Sequence, residues 1–95
     1  MIRCIKLRRY EKNTLRAFVD LELSHAGLVL RDCTLHEKNG QKWISFPARS
    51  YAGDDGATHW QPLIEFSANA NREQFRHQAI AAVDFFLAHF PGAAS

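Results

Sequence analysis

The dipeptide Asn39-Gly40 constrains this chain more than any other feature, because it lies between two runs of β-forming residues. Asn-Gly is typical of a two-residue type I′ hairpin turn, in which both residues take positive φ angles. Such a turn also sets the strand register. The pairs that it predicts are Lys38 with Gln41, Glu37 with Lys42, His36 with Trp43, Leu35 with Ile44 and Cys33 with Phe46. The apolar members of these pairs share one face, as expected for the buried side of a sheet.

Alternation of apolar and polar residues over 15–23, with Phe18 as the one exception, predicts a half-buried strand before this hairpin. A three-residue loop, His25-Ala26-Gly27, is expected to join it to the next strand, with the glycine in the left-handed region. In that register Arg31 falls on the core side, opposite Leu21. Because a charged side chain is out of place there, we expect a β-bulge or a strand edge near Arg31.

The N-terminal run is expected to pair with the strand over 15–23 and to complete a four-stranded antiparallel meander. The predicted partners are Leu7 with Val19, Ile5 with Leu21, Lys6 with Asp20, Arg8 with Phe18 and Tyr10 with Arg16. The first two pairs extend the apolar face, and the other three lie on the opposite face.

Residues 48–58 are expected to form a loop with the turn sequence Asp54-Asp55-Gly56. A fifth strand is predicted over 59–66, at an edge or paired on one side only, because Pro62 has no backbone donor.

The last third of the chain predicts one helix over 69–90, capped by Asn69 or Asn71 and followed by a tail over 91–95. The apolar residues at helical spacing are Phe75, Ala79, Ala82, Val83, Phe86, Leu87 and Phe90. Ile80 and Phe85 fall off this face and suggest a contact with a second subunit. The predicted fold is therefore α+β in one domain over 1–95, with an antiparallel sheet, including an edge or exchanged fifth strand, packed on a C-terminal helix.

Basic and aromatic residues are concentrated on the predicted outer face of the sheet. Residues 1–16 hold six basic residues and one acidic residue, against 12 and 10 in the whole chain. The chain also has 7 Phe, 2 Tyr and 2 Trp, more rings than a core of this size easily holds. Rings that alternate with cations are typical of a sheet that stacks unpaired bases and contacts phosphates. A solvated edge strand or a face covered by a second subunit explains the same pattern, and these interpretations stay open.

The candidate nucleic-acid-binding residues follow from this face and from cations elsewhere. On the outer face they are Lys6, Arg8, Tyr10, Arg16, Phe18, His36 and Trp43. Contact with a duplex through Arg49, Arg72 and Arg76 is a further alternative, because Arg72 and Arg76 lie one helical turn apart.

Catalytic and metal-binding motifs are absent from the sequence. Asp20 and Asp32 are predicted to lie opposite one another, but Lys6 beside Asp20 gives this pair a structural explanation. Cys4 and Cys33 are too few for a disulfide framework. We therefore predict no catalytic residue, no cofactor, no metal and no small-molecule substrate.

The cellular location is predicted from apolar runs and the first residues. The apolar runs are too short to span a membrane, and the first residues are too charged for a signal peptide. The prediction is a cytoplasmic protein without a membrane partner.

The segment from Asp32 to Tyr51 resembles the central part of the SpoVG septation-regulator family. It carries an acidic residue on a strand, an Asn-Gly turn, a short aromatic-aliphatic strand and an apolar-Pro-small-basic tetrad. The tetrad is Phe46-Pro47-Ala48-Arg49. The resemblance runs from Leu15 to about Phe90 and includes the residues Pro62-Leu63-Ile64, Arg72 and Phe75. This chain departs from the family at Gln61, where the family has His, and at Trp43 and Trp60, which are bulkier than usual.

The resemblance implies an antiparallel sheet with a C-terminal helix, a homodimer built through sheet and strand exchange, and binding of DNA or RNA in gene regulation. A role in septation or sporulation does not carry over. The alternative hypothesis is a small protein–protein interaction module of a mobile-element or phage-derived operon, with no direct nucleic-acid contact.

Overall fold

Four strands form an antiparallel sheet in the computed structural model, which describes residues 1–93 and confirms the α+β class. The strands, in spatial as well as chain order, are β1 (Ile2–Lys12), β2 (Leu15–Leu23), β3 (Leu28–Lys38) and β4 (Gln41–Ser45). A separate hairpin follows, made of β5 (Ala48–Ala52) and β6 (Thr58–Pro62). The chain then forms the helix α1 (Asn69–His89) and a short 3-10 helix (Pro91–Ala93).

The core lies between α1 and one face of the four-stranded sheet. Its largest completely buried side chains are Leu7, Leu21, Val19, Val83 and Cys33. The strand residues among them reach this face because side chains alternate along a strand, and α1 contributes one stripe at helical spacing. The buried residues of α1 are Phe75, Ala79, Val83 and Phe86, all on the predicted apolar face. Phe90, also placed on that face, is exposed beyond the helix end.

The Asn39-Gly40 hairpin is confirmed in turn and in register. Asn39 has a φ of 53° and Gly40 a φ of 79°, and the four pairs from Lys38–Gln41 to Leu35–Ile44 form as predicted. The pair of Cys33 with Phe46 is not formed, because β4 ends at Ser45. Phe46 still packs against the core, with its ring 5.1 Å from that of Phe75.

Replacing Gly40 with valine is expected to destabilise the protein by about 1–2 kcal/mol, because a β-branched residue is strained at positive φ. A β-carbon at Gly40 meets no atom within 4 Å, so backbone strain is the only expected cost. Gly92→Val is the control, since Gly92 is equally open but lacks the positive φ. Equal urea midpoints for Gly40→Val and Gly92→Val would contradict the prediction that the turn requires a positive φ at Gly40.

The irregularity expected near Arg31 is a β-bulge in β3. Val19 pairs with Cys33 but Leu21 pairs with Leu30, so one additional residue of β3 lies between these pairs. Asp32 has a φ of 58° and Arg31 is exposed, which keeps this cation out of the core. The prediction of a three-residue loop is wrong. Leu23 pairs with Leu28, so residues 24–27 form the connection. The longer loop shifts the register by one residue, and the bulge restores it.

The register of β1 is confirmed in its middle and wrong towards both ends. Leu7 pairs with Val19, Lys6 with Asp20 and Arg8 with Phe18, as predicted. A shift at Ile5 makes Cys4 the partner of Leu21, so that Cys4 is buried and Ile5 is exposed. A second shift, between Arg9 and Lys12, removes the expected pair of Tyr10 with Arg16. Each shift adds a residue to one strand and reverses the alternation beyond it.

The predicted loop over 48–58 contains a strand. Residues 48–52 form β5, which pairs with β6 from Ala48–Pro62 to Ala52–Thr58. The strand that was expected over 59–66 begins one residue earlier and ends at Pro62. It pairs on one side only, as the proline predicts. The hairpin forms because the turn at Asp54-Asp55-Gly56 is short enough to bring the two runs together.

The helix ends where the sequence indicates but is not capped as expected. Its N-cap is Ala68, and no side chain caps it, so neither Asn69 nor Asn71 takes that role. Phe90 is the C-cap, in agreement with the stop at Pro91-Gly92. Residues 91–93 form a 3-10 helix rather than a frayed tail, and residues 94–95 lie outside the described residues.

The two cysteines are free thiols packed in the core. Burial raises the pKa of Cys4 to about 11 and the pKa of Cys33 to about 12. Both thiols are therefore protonated at neutral pH and pack as small apolar side chains.

Candidate nucleic-acid interface

The structure brings six of the ten predicted contact residues to one face of the four-stranded sheet, on the side away from α1, and places a seventh, Arg16, in an irregularity at the start of β2. The outer-face residues are Lys6, Arg8 and Tyr10 of β1, Phe18 of β2, His36 of β3 and Trp43 of β4. They share this face because their neighbours along the strands point into the core.

Arg8, Tyr10 and Phe18 form one cluster where β1 and β2 pair. The guanidinium carbon of Arg8 lies 4.8 Å from the centre of the Phe18 ring. The Tyr10 ring lies 5.9 Å from the Phe18 ring at 50° and is half exposed. A guanidinium over a ring keeps its edge donors free while its flat face is in contact. The cluster therefore presents the half-exposed Tyr10 ring next to a cation that lies over the Phe18 ring.

His36 and Trp43 form a second cluster on β3 and β4. Their rings are stacked, with centres 5.4 Å apart and planes 7° apart. Nδ1 of His36 lies 2.9 Å from the hydroxyl of Thr14, and Nε2 lies 3.0 Å from the hydroxyl of Thr34. These contacts hold the imidazole in one orientation. The sequence does not indicate that Thr14 contacts His36, because Thr14 lies in the β1–β2 connection rather than on a strand.

Partial burial lowers the pKa of His36 below its ordinary value of 6.5. The lowered pKa favours the neutral imidazole, which stacks on the Trp43 ring.

Acidification from pH 7 to pH 5 is expected to destabilise the native protein more than the His36→Gln variant. A folded-state pKa below 6.5 means that the unfolded chain takes up the proton first. The stability due to neutral His36 is then complete above about pH 6.5 and is lost as the pH falls. Urea midpoints across this range give the measurement, and His25→Gln, in the exposed β2–β3 connection, is the control. The same pH dependence in all three proteins would contradict the prediction.

The acidic residues on the outer face of β2 are neutralised by nearby arginines. The Asp20 carboxylate, only 6% exposed, accepts hydrogen bonds from Arg31 at 2.9 Å and from the backbone N–H of Asp32 at 3.0 Å. Glu22 pairs with Arg3 at 2.6 Å. Lys6 lies opposite Asp20 as predicted, but the ion-pair partner of Asp20 is Arg31. Asp32 contacts Asp20 through its backbone N–H.

Most basic residues of the first two strands have no ion-pair partner among the described residues. Among residues 1–93, five of the six basic residues over 1–16 have no acidic partner within ion-pair distance. They are Lys6, Arg8, Arg9, Lys12 and Arg16. Arg16 donates to the carbonyl oxygens of Asn13 at 2.7 Å and Leu15 at 3.1 Å, which holds its guanidinium at the β1–β2 connection. An anion approaching these residues meets cations that are not held in ion pairs.

The remaining three predicted contact residues lie elsewhere. Arg49 is on β5, where it donates to the Gln61 side chain at 3.1 Å. Arg72 and Arg76 are on α1, on the other side of the sheet, and Arg76 lies 3.6 Å from Glu73. The structure does not bring these residues into the outer-face site.

An apolar groove of about 770 Å³ lies between the start of β1 and α1. Its lining residues are Met1, Ile2, Arg3, Cys4, Gln78, Ala81, Ala82, Phe85 and Phe90. Phe85 is 56% exposed, as a subunit contact requires, whereas Ile80 packs partly buried against the core. The contact of both residues with a second subunit stays a prediction. Sequence reasoning missed the groove, because its walls come from distant parts of the chain.

No protein-family model matches this sequence, and no curated protein matches it significantly. The likeness to SpoVG is thus a resemblance of motifs. Within residues 1–93, no helix combines the length and apolar character needed to cross a membrane. In the same residues, His, Cys, Asp and Glu side chains form no group of three that is suited to a metal ion.

Proposed function

We propose that this protein is a nucleic-acid-binding regulator resembling SpoVG, which binds DNA or RNA through the outer face of its sheet. The observation that carries this proposal is the presence of aromatic rings and uncompensated cations on one uncovered sheet face. Rings offer stacking surface to bases, and cations contact phosphates.

The arrangement of charge supports this proposal over a merely solvated strand. Arg8 lies over Phe18, so that a cation and aromatic surface are presented together. The acids Asp20 and Glu22 are each paired with arginine, so that their repulsion of phosphate is reduced.

We propose that the protein acts as a homodimer. Support comes from the apolar groove between β1 and α1, with Phe85 and Phe90 exposed beside it. β1 is also an edge strand of the sheet, and open edges readily pair with a second chain. Sedimentation equilibrium at micromolar concentration is expected to give twice the monomer mass, and a monomer mass contradicts the dimer.

The alternative function, a protein–protein interaction module, is favoured by the β5–β6 hairpin. Trp60 is 67% exposed and Tyr51 50% exposed, and the hairpin packs substantially on neither the sheet nor α1. Apolar surface of this kind is typical of a protein interface.

Fluorescence anisotropy separates the two functions. The protein is titrated into labelled single-stranded DNA, duplex DNA and RNA at two salt concentrations. A nucleic-acid-binding protein is expected to bind at least one of them with an affinity that falls steeply as salt rises, because phosphate contacts release counterions. Absence of binding to all three at low salt contradicts the proposed function and favours the interaction module.

A further inference from the structure

We infer that the outer face binds an unpaired nucleic-acid strand rather than a duplex, with one base beside Trp43 and another on the Tyr10–Phe18 pair. The inference rests on the proposed function and names its substrate class. The shared chemistry is an unstacked base on an extended phosphate backbone, whether of DNA or of RNA.

The two ring clusters lie too far apart for bases that are stacked on one another. Phe18 pairs with Thr34, and Trp43 pairs with His36, which is two residues further along β3. Strand spacing and rise per residue place Phe18 and Trp43 about 12 Å apart. Neighbouring bases of a duplex are about 3.4 Å apart. A strand that contacts both clusters must therefore be extended, with its bases turned out.

The free surface of Trp43 faces the edge of the sheet. His36 covers one face of the indole ring at a nearly parallel angle, and β4 is an edge strand. The other face of the indole is consequently turned away from the sheet, where a base has access from the side. The hydrogen bonds of His36 to Thr14 and Thr34 keep this support rigid, which lowers the entropic cost of stacking.

A duplex cannot stack its bases on the two ring clusters. Its base faces are covered by their neighbours, and its sequence is read by a helix or a β-ribbon inserted into a groove. The outer face presents side chains of a sheet, and α1 lies on the opposite side of that sheet. The β5–β6 ribbon has Asp54 and Asp55 at its tip, and these carboxylates repel phosphates.

Charge indicates the path of the strand. The uncompensated cations Arg8 and Arg16 lie at the end of the sheet where β1 turns into β2. Asp20 marks the other end, and its carboxylate is already occupied by Arg31. The bound nucleic-acid strand therefore runs diagonally across the outer face, from Arg8 and Phe18 to Trp43, and avoids Asp20.

The two tryptophans allow a direct test. Trp60→Phe leaves Trp43 as the sole tryptophan, and Trp43→Phe leaves Trp60 on the distant hairpin as the matched control. Each variant is titrated with oligothymidylate, with oligouridylate and with a hairpin duplex, while tryptophan emission and the anisotropy of labelled strands are followed. We expect at least one single strand to quench Trp43 but not Trp60, and to bind roughly tenfold or more tightly than the duplex. Phe18→Ala is expected to weaken single-strand binding roughly 5- to 150-fold.

The outcomes distinguish the inference from the proposed function. Duplex binding that equals or exceeds single-strand binding, with Trp43 emission unchanged, overturns the inference and leaves the proposed function standing. Quenching of Trp60 alone also overturns the inference, because the strand then lies on the hairpin. Absence of binding to every probe overturns both. Preference for oligouridylate over oligothymidylate assigns the strand as RNA, and the reverse preference assigns it as DNA.

Discussion

Leu21→Ala is expected to destabilise the protein by about 2–5 kcal/mol, since it removes a buried side chain from the middle of the sheet. Leu21 is completely buried and lies on β2, between its partners Cys4 on β1 and Leu30 on β3. Domains of this size have a total stability of about 5–15 kcal/mol, so the loss is a large part of it. Urea denaturation with an unchanged m-value gives the measurement.

Leu28→Ala is the matched control for this prediction. Leu28 has the same side chain on the neighbouring strand but is 55% exposed. Its replacement is expected to change stability by no more than about 0.5 kcal/mol. If the two variants unfold at the same urea concentration, the core does not lie between this sheet face and α1.

The outer-face variants are expected to separate stacking from charge. Phe18→Ala and Trp43→Ala should each weaken nucleic-acid binding by about 1–3 kcal/mol with little change in salt dependence, because stacking releases few counterions. Arg8→Ala should weaken binding to all sequences and lower the slope of log K against log salt by about 0.7–0.9 if it removes one phosphate contact. Arg8→Lys keeps the charge but loses the flat guanidinium over Phe18, so its salt slope should match that of the native protein.

The control for these variants is the double replacement Arg72→Ala and Arg76→Ala on α1, which should leave binding unchanged. Circular dichroism and sedimentation must show that each variant keeps its fold and its mass. If the helix double variant loses the salt dependence while the sheet variants bind normally, α1 is the contact surface. The outer face then has another role, such as the interface between subunits.

The features that the sequence predicts well depend on residues close together in the chain. Asn39-Gly40 determines its own backbone angles and hence the pairs next to it, from Lys38–Gln41 to Leu35–Ile44. The apolar period of α1 and its stop before Pro91 are also local. Even the bulge near Arg31 follows from a local conflict, because a charged side chain that falls on a core position has to be displaced.

Part of the candidate site follows from the same local patterns. The outer-face position of Arg8, Phe18, His36 and Trp43 depends on strand alternation and on two registers that short turns specify. The position of Arg49, Arg72 and Arg76 relative to this face does not follow from local patterns. It depends on how the β5–β6 hairpin and α1 are arranged around the sheet. Sequence spacing alone carries no information on that arrangement.

The sequence by itself determined the α+β class, the Asn39-Gly40 hairpin and the face to which each side chain in the middle of the strands points. Only the tertiary structure decided that Cys4 rather than Ile5 enters the core, that Arg31 neutralises Asp20, and that Thr14 orients His36. The physical reason is the range of the interactions. Turn geometry and side-chain period are set within a few residues, whereas ion pairs and pKa shifts depend on which distant side chains share a space after folding.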